Sequence, residues 1–153
     1  MLHSFGNGTD GAYPFAGLVF DHAGNLYGTT SAGGTHSSGT AFKLTPAEGG
    51  GWTETVLYDF AGEHGTYPYA SLIFDHAGTL YGTTSAGGTY SGGTLFELTP
   101  VRGGWTEEVL YNFTSTHGAS PNAGLIIDAA GNLYGMTSEG GTHNYGTVFE
   151  VTP

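Results

Sequence analysis

Short stretches of alternating apolar and polar residues run along the whole chain, and Gly- or Pro-rich turns separate them. The first such group predicts strands at 16–20, 25–30, 40–45 and 52–60. Alternation is clearest in the third strand, where Phe42 and Leu44 share one face. No segment carries the i, i+3, i+4, i+7 pattern of an amphipathic helix over a helical length. The pattern therefore predicts an all-β chain.

This group of strands recurs three times. Gly28, Gly82 and Gly135 occupy equivalent points, at intervals of 54 and 53 residues. Such fixed self-similarity is typical of a solenoid, a propeller or an array. The whole chain is then a single repeat domain, 1–153, whose units cover approximately 2–56, 57–109 and 110–153. Its first five residues, 1–5, align with the end of the fourth strand (56–60 and 109–113), so we expect a partial outer strand there.

Four antiparallel strands per unit favour a β-propeller blade over the coil of a β-solenoid, because solenoid coils are usually shorter. The first strand of each unit is apolar at nearly every position, as expected for an inner strand that is covered on both faces. Propellers typically have 4–8 blades, and three blades would leave open edges. We therefore expect self-association to complete the ring, most simply as a dimer with six blades. A fragment cut from a longer array would explain the chain ends equally well.

The repeated residues resemble the GloVer tandem repeat of bacterial surface proteins with varied C-terminal anchors. The resemblance covers nearly the whole chain and lies in these motifs: Asp21-x-x-Gly24-Asn25-Leu26-Tyr27-Gly28-Thr29-Thr30, Gly33-Gly34, Phe42-x-Leu44-x-Pro46, Trp52-Thr53-Glu54 and Val56-Leu57-Tyr58-x-Phe60. The third unit departs from the pattern at Met136 and Glu139. The resemblance implies an extracellular or cell-surface location, and it brings no defined activity. Residues 1–5 show no signal peptide, so we expect the targeting segment and anchor to lie elsewhere in a larger protein.

Charge narrows the choice of partners. Two basic residues stand against thirteen acidic ones, which gives this acidic protein a formal net charge of −11. Nucleic-acid binding needs clustered Lys and Arg, so it is not expected. No apolar run is long enough for membrane insertion. Cysteine is absent, which excludes disulfides and thiolate metal sites, and we predict no cofactor.

Candidate ligand-binding residues lie in two sets of loops that emerge on one face of a propeller, where function usually sits. The loops that enter each first strand span Gly6–Pro14, Ala61–Pro68 and Thr114–Pro121, and the others join the second and third strands. Together they supply Asp10, Tyr13, His36, His64, Tyr67, Tyr90, His117 and His143. Tyr rings stack on sugar faces while Asp and His bond hydroxyls, so these residues suggest a carbohydrate-binding module. The alternative is structural, with Tyr13 and Tyr67 packed against the preceding blade.

Other chemistry has weaker support in the sequence. Asp10, His64 and His117 could ligate a metal ion, but no local ligand spacing supports such a site. The turns at Asp21, Asp75 and Asp128 lack a calcium-loop motif, and each Asp is expected to bond its own turn. Paired carboxylates and a nucleophile elbow are absent, so we expect no enzyme. A propeller-type lyase or hydrolase with its active site on the same loop face is the alternative.

Overall fold

Three antiparallel sheets, one for each repeat, account for the strands of the computed structural model, which describes residues 1–6 and 8–153. Asn7, in the first of the predicted loops, lies outside the described residues. The first sheet has the order β1 (Val19–Phe20), β2 (Leu26–Thr30), β3 (Thr40–Pro46) and β4 (Trp52–Asp59). The second has β5 (Ile73–Phe74), β6 (Leu80–Thr84), β7 (Thr94–Val101) and β8 (Gly104–Asn112). The third has β9 (Ile126–Ile127), β10 (Leu133–Thr137) and β11 (Thr147–Val151).

The all-β prediction is confirmed, with a 3₁₀ turn at Gly62–His64 as the single helical element of the described residues. Neighbouring strands pair in antiparallel register, as the hairpin pattern predicts. The predicted first strand, 16–20, is too long, because only Val19 and Phe20 pair with β2. The Gly17 amide instead donates to Ser71 Oγ in the second repeat, at 2.9 Å. Residues 1–5 form no strand in the single chain.

The core lies between successive sheets. Phe60 follows β4 and packs on Phe96 of the second sheet, with ring centroids 4.8 Å apart. Phe113 follows β8 and packs on Phe149 of the third sheet at the same distance. Both Phe60 and Phe113 are fully buried. An aromatic residue at the end of each outer strand therefore joins one sheet to the next, and fully burying a ring of this size is worth about 2–3 kcal/mol.

The recurring glycine of the second strand has a packing role. A Cβ atom added at Gly82 would lie 2.6 Å from Phe96 Cζ and 2.8 Å from Leu72 Cδ2. Equivalent atoms at Gly28 and Gly135 would be just as crowded. Only glycine leaves room for the Phe96 ring beside β6. The glycine that recurs in each repeat therefore reflects a packing contact that recurs with it.

Asp128 and its equivalents close the turn between the first two strands, as predicted. The Asp128 Oδ1 atom accepts hydrogen bonds from the amides of Ala130 and Asn132 at 2.8 and 2.9 Å. The hydrogen bond from the Asn132 side chain, together with these amide bonds and the bond from the Tyr134 hydroxyl, stabilises the carboxylate and lowers the pKa of Asp128 to about 2. Gly131 follows with a φ of 92°, in the left-handed region. The turns at Asp21 and Asp75 have the same amide bonds.

No strand pair in the described part of the chain joins the third sheet to the first. The sequence prediction of antiparallel four-stranded units is confirmed for the first two repeats, and the third contributes three strands. Closure of the sheets into a ring stays a prediction.

Candidate functional site

The two sets of predicted loops meet, because isolated β-bridges join them in every repeat. Ala12 bridges to Ala32, Thr66 to Ala86 and Ala119 to Glu139, all in antiparallel sense. The loop that enters each first strand is thereby attached to the loop between the second and third strands of the same sheet. The two sets form one continuous surface, which we call the loop face.

Tyr13 and Tyr67 hold equivalent and unusual backbone positions on the loop face. Their φ angles are 58° and 59°, in the left-handed region that bulky side chains rarely adopt. The Tyr67 carbonyl accepts bonds from the amide and hydroxyl of Ser85, both at 3.1 Å. Its amide donates at 2.9 Å to the carbonyl of Ser38 in the preceding sheet. These bonds hold the backbone in the strained conformation that sets the direction of the ring.

Exposed aromatic rings extend from the first repeat into the second on this face. The Tyr13 ring stacks on Phe15, with centroids 6.3 Å apart and an interplanar angle of 14°. Phe15 in turn contacts Tyr69 at a centroid distance of 5.9 Å. We call Tyr13, Phe15 and Tyr69 the aromatic row, and all three rings are exposed. A contiguous exposed patch of large apolar side chains typically marks a binding surface.

Tyr67 bears on the two interpretations of the loop tyrosines, ligand contact and packing against the preceding blade. Its neighbour on the preceding sheet is present in the structure, yet 44% of Tyr67 remains exposed. Packing against the preceding sheet is therefore carried largely by the backbone and by Pro68, which is buried against Gly39. The ring itself is left available for contact with a ligand.

The remaining predicted residues are distributed along the loop face. His36, Tyr90 and His143 are exposed at equivalent loop positions. His117 is exposed, and its Nδ1 atom lies 3.1 Å from the hydroxyls of both Thr114 and Thr116. Asp10 differs from the other predicted residues because it is buried, with Oδ2 at 3.3 Å from His3 Nε2.

His64 lies where the outer strands of the first two sheets approach each other. Its Nδ1 atom is 2.6 Å from Glu107 Oε2. The Glu107 side chain is only 1% exposed, and its other oxygen, Oε1, is buried without a hydrogen-bond partner. Burial raises the pKa of Glu107, although His64 opposes this effect. Burial and the neighbouring Glu107 carboxylate also raise the pKa of the Tyr58 hydroxyl.

The first repeat contains a related arrangement around Glu54. Burial raises the pKa of Glu54, the nearby His3 lowers it, and the Asp10 carboxylate raises it. Glu54 Oε1, like its counterpart in the second repeat, is buried without a hydrogen-bond partner. The two clusters recur at one place in the fold, between a fourth strand and the chain segment that precedes its sheet. In both clusters, the chain segment that precedes the sheet packs closely against the fourth strand.

Among residues 1–6 and 8–153, no group of three His, Asp or Glu side chains is placed to hold a metal ion. Asp10, His64 and His117 therefore do not converge within one chain. The Asp21 turn is likewise occupied by its own amide and side-chain bonds.

Phe15 and Tyr69 are the site residues that the sequence prediction missed. The signal was present in the tripeptides Tyr13-Pro14-Phe15 and Tyr67-Pro68-Tyr69, where Pro separates two aromatic residues in both repeats. The third repeat has Ser120, Pro121 and Asn122 instead, so this aromatic tripeptide occurs only in the first two repeats.

In a comparison with known families, the chain matches the Gloeobacter/Verrucomicrobia repeat over residues 1–153. A search of the curated proteins finds none that matches. Across the described residues, no helix has the length and apolar character needed to span a membrane. The match covers all three repeats and agrees with the resemblance seen in the repeated motifs.

Proposed function

The chain belongs to the Gloeobacter/Verrucomicrobia repeat family, and we propose that it is a non-catalytic module that binds polysaccharide through the aromatic row. We place it in an extracellular or cell-surface bacterial protein, a location supported by the resemblance of its motifs to repeats of surface proteins. The repetition of nearly identical units favours binding over catalysis, because each copy can present a similar shallow binding surface.

The observation that carries the proposal is the contact series Tyr13–Phe15–Tyr69. Aromatic faces pack against the apolar faces of sugar rings, and each exposed ring offers a large apolar area for such a contact. The three rings need little further ordering on binding, because Pro14 and the strained Tyr13 backbone already restrict the loop. His36 and His64, exposed in the same sets of loops, carry ring nitrogens that can bond sugar hydroxyls.

Charge favours a neutral glycan. The chain carries a net charge of −11, so a uronate- or sulfate-bearing polysaccharide would be repelled over the whole approach to the surface. The aromatic row itself contains no charged side chain. We expect neutral glucans or mannans to bind, and acidic polysaccharides to bind more weakly as salt is lowered.

The three sheets are proposed to be consecutive blades of a propeller-type ring that self-association completes, with a six-sheet dimer as the simplest closure. Support comes from the order of strands within each sheet and from the way each outer strand ends in a Phe that packs on the next sheet. In such a ring the aromatic rows of two copies would share the loop face and act together.

Affinity electrophoresis in gels that contain neutral or acidic polysaccharides tests the binding proposal. We expect retardation by a neutral glycan, and about tenfold weaker binding for Tyr13→Ala combined with Phe15→Ala. Val101→Ala is the control, because Val101 is an exposed apolar residue at the end of β7, outside both the aromatic row and the end faces of the proposed ring. Absence of retardation by every neutral glycan, or equal losses for the row variant and the control, would contradict the proposal.

A further inference from the structure

The outer face of the third sheet exposes residues whose equivalents are covered in the other sheets. Val148 is 79% exposed, whereas Leu95, at the same position of the second sheet, is 0% exposed. Ile126 and Met136 are exposed on the same face. In the second sheet this face is covered by the third sheet, through a cluster that includes Leu95, Phe113 and Leu125. The structure therefore shows what kind of surface fits the exposed face: the opposite face of another repeat.

The opposite face of the first sheet is the complementary surface. Leu18 is 50% exposed, whereas Leu72, its equivalent in the second sheet, is 2% exposed because the first sheet covers it. Pro14 is exposed, while Pro68 and Pro121 are buried against Gly39 and Gly93 of the preceding sheets. One chain thus presents both halves of the interface that it also forms twice internally.

Residues 1–5 already have the packing of an outer-strand end. Phe5 contacts Phe42 with a centroid distance of 4.8 Å, the same distance that separates Phe60 from Phe96. His3 lies edge-on to Phe5 at 4.6 Å, as Tyr58 lies edge-on to Phe60 at 5.1 Å. The segment is therefore placed as an outer strand would be, although it has no strand partner in the single chain.

The edge of β11 is the partner that this segment lacks. In the second sheet the corresponding edge of β7 pairs with β8, so that Leu95 is opposite Tyr111 and Thr94 is opposite Asn112. The first sheet has the same register between β3 and β4. Among the described residues, β11 pairs with β10 alone. An exposed strand edge carries unused amide and carbonyl groups, which favours the addition of a strand.

We propose that residues 1–5 of a second copy pair antiparallel with β11 as its fourth strand, with His3 opposite Val148 and Ser4 opposite Thr147. This inference rests on the proposed ring and specifies its contacts. Phe5 keeps its position on Phe42 of its own chain, so no refolding is needed. The amide of Tyr13 then meets the carbonyl of Tyr145, as the Tyr67 amide meets that of Ser38. Covering Val148 and Ile126 supplies the hydrophobic stabilisation.

Disulfide trapping tests the register, because the chain contains no cysteine of its own. His3→Cys and Val148→Cys are made in separate chains and mixed under mild oxidation. Antiparallel partners lie about 4.5–5.5 Å apart between Cα atoms, within the range that a disulfide spans. Random pairing makes about half of the dimers mixed, so we expect up to about half of the protein to form a covalent pair with one chain of each variant, at more than ten times the yield of the control. The control mixes His3→Cys with Thr152→Cys, which lies past the end of β11.

Equal yields for the two mixtures would overturn the proposed strand pairing. The mass of the uncrosslinked protein separates this outcome from failure of the ring. If the protein associates but the His3–Val148 crosslink does not form, the ring is still supported and this strand register is wrong. A chain that stays monomeric and does not crosslink would contradict both. Glycan binding is measured independently, so its failure would leave the strand pairing unaffected.

Discussion

The interface between the second and third sheets and the outer face of the third sheet are built from residues at equivalent positions, yet the first is buried and the second is exposed. Thr83 donates its hydroxyl to the Pro121 carbonyl of the next sheet at 3.1 Å and is buried. Met136, at the same position of the third sheet, is exposed. The comparison shows that the repeat sequence defines a surface suited to burial, and that burial itself depends on a neighbouring sheet.

The largest expected effect concerns the Phe residue that ends each outer strand. Phe60→Ala removes a fully buried ring between two sheets and should cost about 3–5 kcal/mol of unfolding free energy. Phe5→Ala changes the equivalent residue at the exposed end of the molecule and should cost about 1–2 kcal/mol, because Phe5 is only partly buried. Urea denaturation of the dissociated chain at low concentration measures both. Equal costs would mean that the end face is already as well covered as the internal interface.

A smaller, pH-dependent effect is expected at the buried carboxylate between the outer strands. Burial raises the pKa of Glu107 in the folded chain above its unfolded value of about 4.3. The contribution of this group to stability is therefore full below pH 4 and is lost as the pH rises through the folded pKa. Glu107→Gln carries no charge, so it should be more stable than the parent at pH 8, by on the order of 1 kcal/mol, and the difference should vanish at low pH.

Thermal unfolding between pH 3 and pH 8 measures this difference. Glu108→Gln is the matched control, because Glu108 is the adjacent residue of β8 and is exposed. A Glu107→Gln variant that is less stable at pH 8 than the parent would show that the His64 contact outweighs the cost of burying the carboxylate.

The repeated glycines, the Asp turns and the alternation of Phe42 and Leu44 were sufficient to predict four antiparallel strands per unit. Each of these signals acts within one hairpin, so it can be read from neighbouring residues. The extent of β1 was overestimated because Gly17 bonds to the next repeat, a contact between sheets that local alternation does not encode.

The site was only partly predictable for the same reason. Tyr13 and Tyr67 stood out by their equivalent positions, and the structure places both on the exposed loop face. Phe15 became part of the row only through its contact with Tyr69 of the next repeat. Asp10 is buried and contacts His3 of the N-terminal segment, a packing relationship that the repeat pattern does not encode.

The native mass of the 153-residue polypeptide, measured by light scattering over a range of concentrations, tests most directly whether the exposed end faces complete one another. We expect twice the chain mass of 15.8 kDa, and a return to 15.8 kDa for Val148→Glu, which places a charge in the apolar face. Thr152→Glu, outside that face, should leave the mass doubled. A parent protein that remains at 15.8 kDa at every concentration would contradict the account.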